Sequence, residues 1–330
     1  MRYPVLLFLV AAIGWSGCSN DFDVAAPWKD IPVVYGLLDL TEPVHSIRVE
    51  KAFLDPDANA LDLAQVADSL YYAAITVQLE KNGNGQRYSL QRVDGNQADL
   101  PRDQGIFADE PNWLYQIDSG ELRLRAGDEV RLYLERKDGL PTVTADATVL
   151  GAGKLRTPNP TLANNFNFEY TTDSKITWSA DDNARIFDVV LLFKYAEIEN
   201  GQVSEHQLEW VWARNLQNQG GSAELVVARK GIEFYEYLQG NIPVKEDVIR
   251  VFQGIDVMIT AGGESLEKYV NVARANTGIT GSQDIPTYTN LSEGRGVFSS
   301  VSRLVSQNVQ LTQRTRDSLA NGIITRQLNF

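Results

Sequence analysis

The sequence predicts an all-β protein made of two tandem β-sandwich domains with short helical insertions. Apolar and polar residues alternate in short runs, turn residues separate these runs, and few stretches show helical spacing. Strands at such close spacing, without long helices between them, are typical of antiparallel sandwiches. The chain has 330 residues, 43% of them hydrophobic, which is enough for about two globular domains.

The first predicted domain spans residues 31–153. Asn82-Gly83-Asn84-Gly85 is a hairpin turn signal between two of its strands. The insertion at 55–70 is rich in Ala and Asp and is predicted to hold a short helix. Its start resembles an oxygen-ligand calcium loop, but Ala60 and Val66 stand where an EF-hand needs Gly and Glu, so a capped loop is favoured. The predicted strands are residues 33–37, 47–51, 75–80, 88–90, 121–124, 130–135 and 142–149.

The second predicted domain spans residues 154–330, after a Gly- and Pro-rich boundary at 151–160. Residues 175–193 predict a strand, a turn and a strand that resemble the second and third strands of a fibronectin type III domain, a member of the immunoglobulin-like sandwiches. In that resemblance Trp178 is the core residue between the sheets. Strands are also predicted at 208–212 and 223–227, an inserted helix at 232–242, and a strand at 248–261 with Val251, Ile255, Val257 and Ile259 facing inward.

Charge and rare residues exclude several function classes. The net charge is −13 and the basic residues are spread singly, so no basic patch offers a nucleic-acid surface. The single cysteine, Cys18, excludes an internal disulfide and a CxxC site. His45 and His206 are the only histidines, too few for a Cys-His zinc site and a weak basis for a Ser-His-Asp triad. No metal and no cofactor is predicted.

Residues 1–18 predict a lipoprotein signal peptide. Arg2 is followed by an apolar run of eleven residues, which is too short to span a bilayer and matches the apolar region of a secretory signal. Ser16-Gly17-Cys18 resembles the end of a bacterial lipobox, although Trp15 replaces the usual Leu. The resemblance implies that Cys18 is acylated. An ordinary signal peptide with a chance cysteine is the alternative.

Residues 19–30 are interpreted as an acidic tether. Ser19-Asn20-Asp21-Phe22-Asp23 resembles the surface-export signal of Bacteroidetes lipoproteins. That resemblance implies a protein that is held in the outer membrane by lipid and faces the cell exterior. A polar spacer without an export role is the alternative.

Three further stretches are similar to a family of uncharacterised Bacteroidetes surface lipoproteins that bear a domain-of-unknown-function name. They are residues 47–72, residues 127–132 followed by 142–149, and residues 288–291 followed by 294–298. Members of the family are often encoded near TonB-dependent receptors. The resemblance implies a sandwich fold, a surface location and a role in uptake or surface binding beside such a receptor, and it supplies no catalytic residues.

Aromatic pairs are the best candidates for a ligand site. Trp210 and Trp212 share one face of a predicted strand, as do Trp113 and Tyr115. Exposed, each pair would stack on a ligand ring; buried, each would be sheet core, which the usual burial of large aromatics favours.

Other motifs are weaker. The acid pairs Asp181/Asp182 and Glu197/Glu199 could serve glycoside hydrolysis but are mostly expected to be solvated. Gly294-Arg295-Gly296 lacks the rest of a phosphate loop and is predicted to be a tight turn. Ser69 and Ser318 each lie in an Asp-Ser-Leu match to an O-glycosylation pattern.

These observations favour a non-enzymatic, lipid-anchored surface binding protein of unknown ligand. A structural or adhesive spacer is the second hypothesis. A carboxylate-dependent surface hydrolase is the third and least favoured.

Overall fold

The computed structural model of the chain describes residues 31–52, 59–136, 139–159, 166–218, 224–275 and 287–330. The predicted signal peptide with Cys18 and the export segment Ser19 to Asp23 lie outside the described residues. So does the start of the loop that resembles a calcium site.

Strands make up most of the secondary structure. They are β1 (Ile31–Leu38), β2 (Val44–Ala52), β3 (Ile75–Lys81), β4 (Arg87–Ser89), β5 (Gln91–Asp94), β6 (Trp113–Asp118), β7 (Glu129–Arg136), β8 (Val143–Thr148), β9 (Lys154–Thr157), β10 (Asp173–Ser179), β11 (Ile186–Glu199), β12 (Gln202–Gln217), β13 (Glu224–Lys230), β14 (Val248–Gly262) and β15 (Arg295–Val309). The helices are α1 (Ala60–Ala64), α2 (Ala67–Leu70), α3 (Ser119–Leu122), α4 (Gly231–Asn241), α5 (Glu264–Ala275) and α6 (Gln313–Asn321).

The strands of the described residues form three sheets. The largest has eight strands in the order β12-β11-β14-β15-β1-β2-β6-β5, and β1 and β15 are parallel while its other neighbours are antiparallel. A four-stranded sheet has the order β4-β3-β7-β8, and a three-stranded sheet has the order β13-β10-β9. The all-β class with sandwiched sheets and short helical insertions is therefore confirmed.

Each smaller sheet packs a separate hydrophobic core against the large one. The core of the four-stranded sheet joins Val77 and Leu132 to Val34, Ile47 and Phe298 of the large sheet. The other core joins β9, β10, β13 and helix α4 to β11, β12 and β14. Trp178 is buried there and meets Phe187 edge to face, as the resemblance to a fibronectin domain implied.

Strand β15 belongs to both halves of the large sheet. Its residues 295–300 pair with β1, and residues 301–309 pair with β14. Leu291 and Phe298 contribute to the core of the four-stranded sheet, whereas Val309 lies in the other core. The division of the chain at residue 153 stays a prediction, since one continuous strand serves both cores.

Several local predictions are confirmed. The Asn82–Gly85 turn joins the antiparallel strands β3 and β4, with Asn82 and Gly83 in the left-handed region. Helices α1 and α2 lie in the predicted insertion. The predicted inserted helix is α4, which buries Phe234, Tyr235 and Leu238.

Two strand predictions are wrong in part. Residues 121–124 begin in helix α3 because Asp118 accepts a hydrogen bond from the Gly120 amide, 2.7 Å away, and caps that helix. Val251 is 46% exposed although it was predicted to face inward. An extra residue at Gln253 shifts the register of β14 against β11, so that Arg250 points inward in its place. The boundary segment 151–160 also contains a strand, β9.

Gly294-Arg295-Gly296 is not a tight turn: Gly294 directly precedes β15, and Arg295 and Gly296 are the first two residues of that strand. A Cβ on Gly296 would lie 1.9 Å from the Val34 carbonyl oxygen, and one on Gly294 would lie 2.4 Å from that of Pro32. Both glycines have φ between +96 and +120, which strains other residues. The motif therefore lets β15 approach β1 closely.

Candidate functional site beside helix α5

The predicted aromatic pairs are mostly core. Trp210 and Trp212 are buried on the inner face of β12, with ring centroids 5.3 Å apart and edge to face. Tyr115 is buried in the core of the four-stranded sheet. Trp113 is half-buried beneath the Arg92 guanidinium, whose carbon lies 4.4 Å from the ring centroid. None of them forms the exposed stacking platform that was one interpretation, because core packing buries Trp210, Trp212 and Tyr115 and the Arg92 guanidinium lies over the Trp113 ring.

The acid pair Glu197/Glu199 is divided by the structure. Glu197 is buried and forms an ion pair with Arg250, at 2.7 Å, and another with Lys245. Hydrogen bonds from Lys245 and Arg250 hold the pKa of Glu197 below its ordinary value despite burial. Glu199 is exposed and pairs with Lys245 at 3.2 Å. Glu197 is thus paired with two cations, and its role is to neutralise the buried Arg250 and stabilise the sheet.

Asp181 also has a local structural role. It accepts hydrogen bonds from the backbone amides of Gly151 and Asn183, at 2.9 and 2.8 Å, and closes a turn before β11. Among the described residues, no group of three or more His, Cys, Asp or Glu side chains is arranged to hold a metal ion.

The two histidines have different surroundings. His45 is buried, burial lowers its pKa, and its Nδ1 has no hydrogen-bond partner in the described residues. His206 is exposed, stacks on Tyr195 and lies 2.9 Å, Nε2 to Oγ, from Ser204. Within the described part of the chain neither ring is hydrogen-bonded to a carboxylate, so the geometry of a triad is not assembled there.

Ser69 and Ser318 both lie in helices, α2 and α6, and both are half-buried. The leucines that follow them, Leu70 and Leu319, are buried in hydrophobic clusters. The glycosylation of either serine stays a prediction.

A different group of residues forms an open pocket on the outer face of the large sheet. Its cavity measures about 220 Å³. Three tyrosines and one arginine dominate the lining, which comprises Tyr35, Tyr269, Val272, Ala273, Thr287, Tyr288, Arg295 and Gly296. We call this cavity the tyrosine pocket.

Strand β1 places Tyr35 at the pocket. Alternation along β1 buries Val34 and Gly36 on the inner face and turns Tyr35 outward, where it is 42% exposed. The parallel pairing of β1 with β15 brings Arg295 to the same face, because Val33 lies opposite Arg295. The close approach permitted by Gly296 therefore sets the distance between the two strands that line the pocket.

Helix α5 supplies the opposite wall with Tyr269, Val272 and Ala273. Glu264 and Glu267 in its first turn and Arg274 in its last turn suit the helix dipole, and Lys268 forms an ion pair with Glu264. None of its described side chains is fully buried. A second cavity of about 130 Å³, lined by Leu266, Val270 and strand residues, lies on its other side. Helix α5 therefore lies on the sheet between two cavities.

Tyr35 and Tyr269 form a hydrogen-bonded pair at the pocket. Their hydroxyl oxygens are 3.2 Å apart, and the rings are nearly perpendicular with centroids separated by 6.2 Å. The pKa of Tyr35 is raised to about 12, mainly by partial burial and to a smaller extent by the hydrogen bond with Tyr269. The phenol therefore stays neutral at physiological pH and can both donate and accept hydrogen bonds.

Arg295 is the charged group of the pocket. Its Nη1 donates a hydrogen bond to the Thr287 hydroxyl, and it forms no ion pair with any described residue. Glu50, which lies near Tyr35, is engaged by Arg48 at 3.2 Å and Arg102 at 2.7 Å. The neighbouring carboxylate is thus shared between two cations, and Arg295 remains available to a ligand.

This pocket was not predicted from the sequence. Residues 266, 269, 270 and 273 have the apolar spacing of an amphipathic helix and would have indicated α5. Tyr35 lies in a predicted strand whose residues are apolar on both faces. The sequence of this strand therefore does not indicate that Tyr35 points outward.

Comparisons with known proteins show no family for this chain. No protein-family model matches it, and no curated protein matches it significantly. Among solved structures it is similar to the C-terminal globular domain of oligosaccharyltransferase from Pyrococcus abyssi, with 12% identity, a TM-score of 0.24, and coverage of 70% of this chain and 46% of that chain. This chain thus spans less than half of the length of the archaeal one.

Two further solved structures have lower scores. The FN1–FN3 domains of chicken CNTN1 show 10% identity and a TM-score of 0.19 over 85% of this chain and 67% of that chain. CBD12 from CALX1.2 shows 8% identity and a TM-score of 0.17 over 84% and 99%. The functional inference therefore rests on the chain's own residues.

Proposed function

We propose that this protein is a non-enzymatic binding protein, held in the outer membrane by lipid on Cys18 and facing the cell exterior, that takes a small ligand in the tyrosine pocket. The observation that carries the proposal is the convergence of Tyr35, Tyr269, Tyr288 and Arg295 on one solvent-open cavity. Tyrosine and arginine are the residue types that dominate recognition surfaces, because each offers contact area together with hydrogen bonds.

Partnership with a TonB-dependent receptor belongs to the same proposal and is supported by the family resemblance of the sequence. Lipid anchoring is supported by the signal-peptide pattern and by Cys18 as the single thiol. None of the helices among the described residues has the length and hydropathy that a membrane crossing needs.

Binding in the pocket is tested with glycan and peptide arrays probed with the wild type and Tyr269→Ala. We expect wild type to bind a subset of array members and Tyr269→Ala to bind them at least about tenfold more weakly, since a stacking aromatic and a hydroxyl partner are both lost. Lys268→Ala is the matched control, because Lys268 is exposed on the same helix and does not line the cavity. A wild type that binds nothing would overturn the proposal and favour the spacer hypothesis.

Cys18→Ala tests the anchor. We expect it to abolish incorporation of a labelled fatty acid, because no other thiol can accept the diacylglycerol. Ser19→Ala, at the next position, should retain the label. Label retained in the Cys18 variant would contradict lipidation at this residue.

A further inference from the structure

We infer that the ligand of the tyrosine pocket is a carboxylate carried on a single six-membered ring, with the carboxylate on Arg295 and the ring among the tyrosines. This inference rests on the proposed binding function and names the chemical class of the ligand. Such a carboxylate is found in sugar acids and in aromatic acids, and the binding experiment distinguishes these sources.

The charge of the lining is the first argument. Among the eight lining residues that the structure describes, Arg295 is the only charged one, and none carries a carboxylate. The whole chain, in contrast, carries 43 acidic against 30 basic residues. The lining is positively charged although the chain as a whole is negative. The field of the whole protein repels anions at long range. An anion is therefore attracted to this pocket only by direct contact with the lining.

The geometry of Arg295 is the second argument. It is the first residue of β15, between two glycines whose close contacts with Pro32 and Val34 fix the backbone. The hydrogen bond to Thr287 engages one of the five N–H donors of the guanidinium. The remaining donors form a planar fork that matches the two oxygens of a carboxylate. An exposed guanidinium that is held by Thr287 beside a cavity is suited to this group.

Size and the tyrosine hydroxyls complete the ligand. A cavity of about 220 Å³ is smaller than the roughly 300 Å³ at which sites for drug-sized ligands begin, so it accommodates about one ring. The hydroxyls of Tyr35 and Tyr269 can hydrogen-bond to hydroxyl or carboxylate oxygens of a ligand. The edges and faces of the phenol rings provide the apolar contact for a ring.

Calorimetric titration of the mature chain tests the inference with two matched pairs: glucuronate against glucose, and 4-hydroxybenzoate against phenol. We expect at least one acid to bind about 10- to 100-fold more tightly than its neutral partner, as a charge-assisted bidentate contact requires. Binding by glucuronate identifies the sugar acid, and binding by 4-hydroxybenzoate the aromatic acid. Failure of both acids, or equal binding of acid and neutral partner, would overturn the inference.

The variants separate this inference from the proposed function. Arg295→Gln should erase the preference for the acid, and Arg295→Lys should keep a part of it, because the charge remains but the fork is lost. Arg214→Gln, an exposed arginine on β12 outside the pocket, is the control and should bind as wild type. Array ligands that bind through Tyr269 without any acid preference would overturn the carboxylate and leave the binding function standing.

Discussion

Arg250→Met should lower the free energy of unfolding by about 3–5 kcal/mol, the usual cost of removing one partner of a buried ion pair. The Arg250 side chain is 0% exposed and that of Glu197 is 5% exposed. Arg250 donates to Glu197 at 2.7 and 3.0 Å and to the carbonyl oxygens of Leu328 and Pro243 at 2.6 and 2.9 Å. Methionine fills much of the volume but leaves these acceptors without their donor.

Chemical denaturation measures the effect, and Arg131→Met is its matched control. Arg131 on β7 also binds a carboxylate of a neighbouring strand twice, Asp146 at 2.7 and 3.0 Å, but both side chains are more than half exposed. Exposed pairs contribute little to stability, so this control should unfold almost as the wild type does. Equal destabilisation by the two variants would contradict the role assigned to burial.

The same pair predicts an acid dependence. Because Lys245 and Arg250 lower the pKa of Glu197 in the folded state, its carboxylate stabilises the fold at pH above its unfolded value of about 4.5. That stability is lost as the pH falls through the lowered folded-state pKa. The loss should be smaller in Arg250→Met, since one of the groups that lowers the pKa is gone.

Gly296→Ala should destabilise the protein at least as much as Arg250→Met does. We expect the free energy of unfolding to fall by on the order of 4 kcal/mol, or the variant not to fold. Its Cβ would lie 1.9 Å from the Val34 carbonyl oxygen and 3.0 Å from the Val34 nitrogen, and the φ of +96 already disfavours alanine. To relieve the clash between this Cβ and Val34, β15 would have to move away from β1. That movement would break the parallel pairing in the middle of the eight-stranded sheet. The expected result is a lower thermal midpoint or insoluble protein.

Gly240→Ala is the control for this substitution. Gly240 lies near the end of helix α4, and a Cβ there would meet nothing within 4 Å. Alanine is a better helix former than glycine, so this variant should be more stable by about 0.5–1 kcal/mol. A Gly296→Ala protein that melts with the wild type would show that β1 and β15 are not held by this contact.

Much of the fold follows from short-range pattern in the sequence. Alternation and turn residues predict β3, β4 and their turn, and helical spacing predicts α4, because these elements depend on neighbours along the chain. Val251 was misplaced because the extra residue at Gln253 reverses which side chains face the core. Alternation alone carries no sign of that bulge, so the inward position of Arg250 could not be predicted.

The candidate site depends on distant contacts. Tyr35 and Tyr269 are hydrogen-bonded across 234 positions of sequence, and the parallel pairing of β1 with β15 places Arg295 beside them. Neither contact produces a recognisable pattern in the local sequence, because a tyrosine within an apolar strand is predicted to be a core residue. The aromatic pair Trp210 and Trp212 was recognisable in the sequence, but large aromatic residues at this spacing are typical of a hydrophobic core.

The position of β15 sets an order in which the molecule can be completed. The Ser300 hydroxyl donates to the Leu38 carbonyl across 262 positions of sequence. When the chain is made from its N-terminus, β1 therefore lacks its neighbour β15 until synthesis has passed residue 300. Pairings of such long range are slow to form and leave strand edges exposed meanwhile. Because Phe298 of β15 belongs to the core of the four-stranded sheet, that core cannot be completed before β15 is in place, although most of its other residues are synthesised earlier.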